Sequence, residues 1–290
     1  MEILQNDRLR VVVSDKGAEM QHLQKADGTE LLWQGDAAYW GKRSPVLFPI
    51  VGRLWDGAMR AEGAEWRVPK HGFVSTARWA CVSADGERVA YVYETTDEDL
   101  RCFPWRARVE VAYRLYNNKV YADFSVENLS PGTMYFQMGG HPGFALPGWC
   151  EEEAVDGYLR LEGRPESVLR ASTQGCTEPA RFGFPLTDDG LVPLSQATFE
   201  NEALIFDRKQ VSAVELLDKR RRRLVRVESD APVWLFWSPQ GQHAPFVCVE
   251  PWYGLCDAQG FDGPVEARPY INALESGGVW RGGYAIEVLI

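Results

Sequence analysis

Three stretches of this sequence set a proton-transfer side chain beside turn-forming or apolar neighbours: "PKHGFVS" around His71, "GGHPGF" around His141 and "VCVEPWYG" around Glu250. Most other charges fall on alternating positions of strand-like runs, where they face solvent. Glu250 closes the apolar run 246–249 and is followed by Pro251 and Trp252, a setting in which desolvation raises the basicity of a carboxylate. That suits a general base. Histidine is its natural partner, because an unperturbed imidazole titrates at about 6.5 and gives or takes a proton near neutrality.

Each residue also has a plain structural reading. A histidine can be hydrogen-bonded packing, and a glutamate at a strand end can close a surface salt bridge. Two histidines and a carboxylate could hold a metal ion, but no HxD or HxE pair is present and the three lie far apart in sequence, so no metal is expected. His22 lies in a hairpin-like strand and His243 in the loop "SPQGQHAPF"; neither is given a role. Arg53, in "SPVLFPIVGRLWDG", could bring its fork of donors to sugar hydroxyls or a phosphate in a cleft, or to a structural ion pair. The run "DKRRRRL" at 218–224 sits between two strand-like runs and reads as a solvated hairpin tip. Of the 11 Trp, Trp55, Trp234, Trp237 and Trp252 lie in or near these stretches. Core packing accounts for most Trp, and stacking on the face of a sugar would account for some.

The elements that must position these residues are strands. In "ARVEVAYRLYNNKVYADFSVEN", Ala107, Val109, Val111, Tyr113 and Leu115 alternate with more polar residues, and Val120, Ala122, Phe124 and Val126 do so after Asn117-Asn118. That pattern is a half-buried antiparallel hairpin. Asp85-Gly86 and Asp27-Gly28 mark two more turns. Short β-rich runs follow at "ALIF", "AVELL", "LVRVE", "VWLFW", "FVCVE" and "AIEVLI". Helical periodicity is confined to a turn or two around "DAAYW" or "YGLCDAQ", and the segment 150–197 reads as long loops with isolated strands. The fold class expected is all-β: a large antiparallel sandwich of two packed sheets. No linker or repeat divides the chain, so residues 1–290 are read as one domain.

Composition narrows the function classes. A chain of 290 residues with 45% hydrophobic content can bury a large core. A formal charge of −10, from 31 basic and 41 acidic residues, argues against nucleic acid, whose phosphates call for a basic surface. Six scattered cysteines form neither a disulfide framework nor a zinc motif. With no leader-like start and no apolar run of about 18 residues, no membrane association is expected, and the expected location is the cytoplasm.

Taken in order, "FPIVGRLWDG", "KHGFVS", "GGHPGF" and "CVEPWYG" resemble the motifs of the aldose 1-epimerase (galactose mutarotase-like) family, in particular its LacX-like branch. The likeness runs from about "LLWQGDAAYWGKRSPVLFPIVGRL" to "YAIEVLI". It implies a galactose mutarotase-type sandwich with a sugar cleft on one sheet, no metal or organic cofactor, and a monomer or homodimer. By motif position it implies that His141 is a general acid, Glu250 a general base, and His71 the histidine that holds and polarises the sugar. Arg53 would contact sugar hydroxyls, Asp207, closing "NEALIFD", would be the hydroxyl-binding aspartate, and Trp252 would line the site. Gly139 and Gly140 would leave room for the sugar ring.

The reaction so implied interconverts the α and β anomers of an aldohexose, free or phosphorylated. Glu250 takes the C1 hydroxyl proton while His141, on the opposite side of the ring, protonates the ring oxygen; rotation and reclosure give the other anomer. The acid limb of the pH profile would then report the glutamate and the alkaline limb the histidine. Two other readings stay open. One is a sugar-binding or regulatory module without turnover. The other is a glycosidase or lyase, which calls for a second acidic residue in a setting as apolar as that of Glu250.

Overall fold

In the computed structural model, which describes residues 1–171 and 174–289, the period-two runs are strands. Ala107–Tyr116 and Lys119–Asn128 pair in register around Asn117-Asn118, and every apolar member of the alternation is buried. Asp85-Gly86 joins Ala80–Ala84 to Arg88–Glu94 through an irregular register. Beyond Asp27-Gly28 the expected return strand reduces to isolated bridges, Gln24 with Glu30 and Leu32 with Phe144.

Two large antiparallel sheets dominate. The nine-stranded sheet runs, edge to edge, through Val192–Leu194, Gly157–Gly163, Val211–Asp218, Arg223–Glu228, Val279–Val288, Lys119–Asn128, Ala107–Tyr116, Arg88–Glu94 and Ala80–Ala84. The seven-stranded sheet contains Leu169–Arg170, Ala203–Phe206, Val233–Trp237, Phe246–Tyr253, Met138–Gly140 and Val46–Leu47, with Gly143–Ala145 also paired to Phe246–Tyr253. The fold is the expected all-β sandwich. Its main core draws Val109, Val111 and Tyr113 from the first sheet and Phe206, Trp234, Phe236, Val247 and Val249 from the second.

Alternation splits the seven-stranded sheet into two faces. Val247 and Val249 point into the sandwich core, whereas Phe246, Cys248 and Trp252 join smaller apolar clusters on the opposite face with Ala203, Ile205, Val233 and Leu235. Glu250 falls in the second set. One residue of register therefore decides whether a side chain packs the core or lines the outer face.

Two expectations change. Neither "DAAYW" nor "YGLCDAQ" forms a helix; the first is a turn closed by Trp40 N–H on the Asp36 carbonyl at 2.9 Å. Helical segments among the described residues are 3-10 turns of three or four residues. The segment 150–197, of which residues 172 and 173 lie outside the described residues, contains more than isolated strands. Its Gly157–Gly163 is an interior strand, because Leu159 alternates into the core and seven residues find partners on Val211–Asp218. "AIEVLI" belongs to the strand Val279–Val288, and its last residue, Ile290, lies outside the described residues. The "DKRRRRL" tip is the turn joining Val211–Asp218 to Arg223–Glu228, pinned by Arg222 on Asp218 at 2.7 Å.

Candidate active site

His71, His141 and Glu250 meet on the outer face of the seven-stranded sheet, and the backbone explains how. His71 has φ of 63° and is followed by Gly72 at 73°, where a side chain would begin 1.9 Å from the Phe48 carbonyl oxygen; only glycine fits. The His71 N–H donates to the Gly52 carbonyl at 2.9 Å, and Nδ1 accepts the Gly52 N–H at 3.1 Å. With Nδ1 accepting, the neutral ring carries its proton on Nε2. His141 is held between strands: its N–H donates to Pro45 at 3.1 Å, and the next carbonyl, Pro142, accepts Val249 N–H at 3.0 Å.

The three side chains make a compact group. His141 Nε2 lies 3.2 Å from Glu250 Oε2, with the glutamate fully buried. The His71 ring stands edge-on to His141 at 5.4 Å between centroids, and Trp40 stacks on His141 at 4.7 Å. Trp237 and Trp252 complete an aromatic wall around the two imidazoles. Together they line a cavity of about 310 Å³, within the range of small-molecule sites.

What this group lacks in hydrogen bonds is as informative as what it touches. Both oxygens of Glu250, Nδ1 of His141 and Nε1 of Trp252 are buried with no hydrogen-bond partner. A charged carboxylate in such a place costs several kcal/mol, so burial pushes the Glu250 carboxyl well above its ordinary range. Lys70, and the Trp252 N–H, which comes near without closing a hydrogen bond, pull weakly the other way. Burial first, then the Lys70 and Lys42 charges, lowers His141 to about 3. His71 is also held well below its ordinary value, by burial and then by His141, Lys70, Lys42 and Arg53. These surroundings favour a neutral pair whose proton sits on Glu250.

The other expected site residues divide. Trp252 lines the cavity. Arg53 is exposed near it, its side chain alongside Gly175, which does line the cavity. Asp207 departs from the expectation. It does not line the cavity, because Arg181 holds both of its oxygens at 2.8 and 2.7 Å and the Tyr270 hydroxyl adds a third bond at 3.3 Å. The glycines of "GGHPGF" are corrected too: a Cβ on Gly139 would meet Trp252 at 2.8 Å, and one on Gly140 would meet the Tyr284 ring at 2.4 Å. They admit aromatic side chains, not a ligand.

Among the cavity residues that escaped the sequence reading are Trp40, Lys42, Lys70 and Glu202. Lys70 was adjacent to His71, and Trp40 and Lys42 lie in "YWGKRSP", so proximity to the motifs was their signal. Glu202, at the start of "EALIFD", has φ of 71° and one carboxyl oxygen buried without a partner. For a metal, His141, Cys248 and Glu250 offer ligand atoms within 4.8 Å of one another, an N/S/O set of the kind zinc takes. Burial pushes the Cys248 thiol well up, so it would have to surrender a firmly held proton.

The sequence model described as Aldose 1-epimerase matches residues 2–265. The chain belongs to this family. Aldose 1-epimerase relatives include the chromosomal and plasmid LacX proteins of Lactococcus lactis subsp. lactis, each 26% identical over 99% of this chain and 98% of their own length. A galactose mutarotase related enzyme of Lactobacillus acidophilus is 31% identical, with a TM-score of 0.91 over 99% of this chain and 97% of that one. A galactose mutarotase-like protein of Lactobacillus casei shares the fold across both whole chains, with a TM-score of 0.93 at 23% identity. The resemblance to the LacX-like branch of the aldose 1-epimerase family thus holds over nearly the full length.

Proposed function

We propose that the protein is an aldose 1-epimerase that interconverts the α and β anomers of an aldohexose. The observation that carries this reading is the contact of His141 Nε2 with Glu250 Oε2 at 3.2 Å, in a cavity that leaves both groups otherwise unbonded. O1 and the ring oxygen are bonded to the same carbon, so adjacent acid and base groups can serve both; they need not flank the ring. Glu250 accepts the O1 proton as C1–O5 breaks and His141 delivers its proton to O5, yielding the open-chain aldehyde. Rotation about C1–C2 and the reversed transfers then give the other anomer.

Opening the ring requires the charged tautomer of the pair, and the neutral tautomer is the one left when the aldehyde forms. The two carry the same number of protons, so bound sugar, not pH, must shift the balance between them. His71 Nε2–H and the aromatic walls are assigned to holding the sugar.

The test is anomeric exchange followed by polarimetry or NMR on a panel of aldohexoses. Glu250→Gln and His141→Ala are each expected to lower the accelerated rate by about 10²–10⁴; full activity in both variants would sink the proposal. The pH profile of kcat/KM adds a second check. Its acid limb reports a second proton reaching His141, lowered to about 3, and its alkaline limb loss of the shared proton from Glu250, raised by burial. That order reverses the assignment expected from ordinary pKa values, and an acid limb at about 4.3, the ordinary carboxylate value, would contradict it. Saturable sugar binding without rate enhancement would support the binding-module reading instead. Release of reducing ends from an oligosaccharide would support paired-carboxylate hydrolysis, for which Glu202 supplies a second acid in the cavity.

A further inference from the structure

The His71 side of the cavity carries positive charge that no carboxylate of the described residues pairs with. Lys70 and Lys42 both line the cavity. Lys42 is half-buried, and its Nζ donates to the Ser75 hydroxyl at 2.7 Å, leaving two of its three donors over. Burial lowers its pKa, with Glu19 opposing and Lys16 adding. One oxygen of Glu19 accepts the backbone N–H groups of Arg43 and Ser44 at 2.8 and 2.9 Å, and the carboxylate makes no ion pair with Lys42 among the described residues. Lys70 and Arg53 have no ion-pair partner among the described residues.

This differs from how the molecule treats many other cations. Glu215 takes Arg160 and Arg223, Asp207 takes Arg181, and Asp257 takes Arg268. In a chain of net charge −10, neutralising carboxylates are plentiful. Of the cations around the cavity, Lys42 is half-buried and Lys70 and Arg53 are exposed; like charges gathered on one wall, one of them partly desolvated, repel one another. Hydroxyls of a neutral sugar need no such field.

We infer that the aldose this cleft receives carries an anionic substituent, a phosphate or a carboxylate, which Lys70 and Lys42 hold with Arg53 at the edge. The inference rests on the epimerase reading of the same cavity and specifies its substrate class.

The experiment compares galactose with galactose 6-phosphate and galacturonate, and glucose with its 6-phosphate and glucuronate, by NMR exchange of the anomers. Wild-type protein is expected to favour an anionic sugar over its neutral parent by about tenfold or more in kcat/KM. The phosphate and uronate arms name the anion. Lys70→Glu should reduce the preference by about tenfold or more, and Lys70→Arg should keep most of it. A neutral parent turned over as well as both anionic forms, or a preference unmoved by Lys70→Glu, overturns the inference. If no sugar is turned over, the same sugars are titrated by tryptophan fluorescence. Tighter binding of an anionic sugar that Lys70→Glu abolishes then upholds the anion site while the epimerase reading falls, and equal binding of neutral and anionic sugars overturns the anion site as well.

Discussion

Two buried carboxylates lie at the seven-stranded sheet on either side of the strand Val233–Trp237, and their surroundings could hardly differ more. Asp207, just beyond the strand Ala203–Phe206, has Arg181 across both oxygens and Tyr270 on one. Glu250, inside the strand Phe246–Tyr253, is more deeply buried, and its one ion-pair contact among the described residues is with His141 at 3.2 Å. At Asp207 a bidentate fork satisfies the charge and the desolvation cost is offset. At Glu250 nothing offsets it, so the group keeps a proton and a cavity is left beside it. Burial of an acid marks neither function nor structure; the presence or absence of partners separates the two.

The sharpest way to break this comparison is to remove the charge at each place. Glu250→Gln should cost activity by the factor given above and yet raise stability at alkaline pH. Burial sets the folded pKa of Glu250 above the unfolded value of about 4.3. The folded state therefore binds more protons across that window, and stability is lost as pH rises through the folded pKa. Glutamine has no proton to lose, so calorimetry should find a Tm advantage of the variant that grows from pH 5 to pH 8. An advantage that shrinks with pH would show that Glu250 is ionised at rest. Asp207→Ala should do the reverse, losing about 1–3 kcal/mol with the Arg181 and Tyr270 bonds, since Arg181 lies near the surface, with kcat nearly intact. A collapse of kcat in a variant that stays folded would return Asp207 to the site.

The contrast also explains what the sequence could convey. Alternating runs such as 107–115 named their strands because one face is polar. "FVCVEPWY" is buried at every position, so nothing in it tells that Val247 and Val249 face the core while Glu250 and Trp252 face the cavity. His71, His141 and Glu250 stood out through their turn and apolar neighbours, and the family resemblance ordered them. The order of the family motifs points to Asp207, and although position 207 shares the parity of the cavity residues Ala203 and Ile205, the arginine that claims it lies 26 residues away. Gly139 and Gly140 signalled a close approach correctly, but the approaching groups, Trp252 and Tyr284, come from other parts of the chain.

The smallest predicted effect tests the carboxylate that lies between these extremes. Glu202 lines the cavity like Glu250, but it is only partly buried, and just one of its oxygens is buried without a partner. Its position in the turn before Ala203–Phe206 suits it to accept sugar hydroxyls, a task for which no proton need move. A hydrogen bond to a charged acceptor contributes about 1.5–3 kcal/mol, so Glu202→Gln should raise KM by about tenfold or more and leave kcat close to wild type. Stability should change little, since the buried oxygen has no bond to lose. A fall in kcat at unchanged KM would instead make Glu202 a second proton-transfer carboxylate, and the single-acid contrast between Glu250 and the rest of the cleft would have to be abandoned.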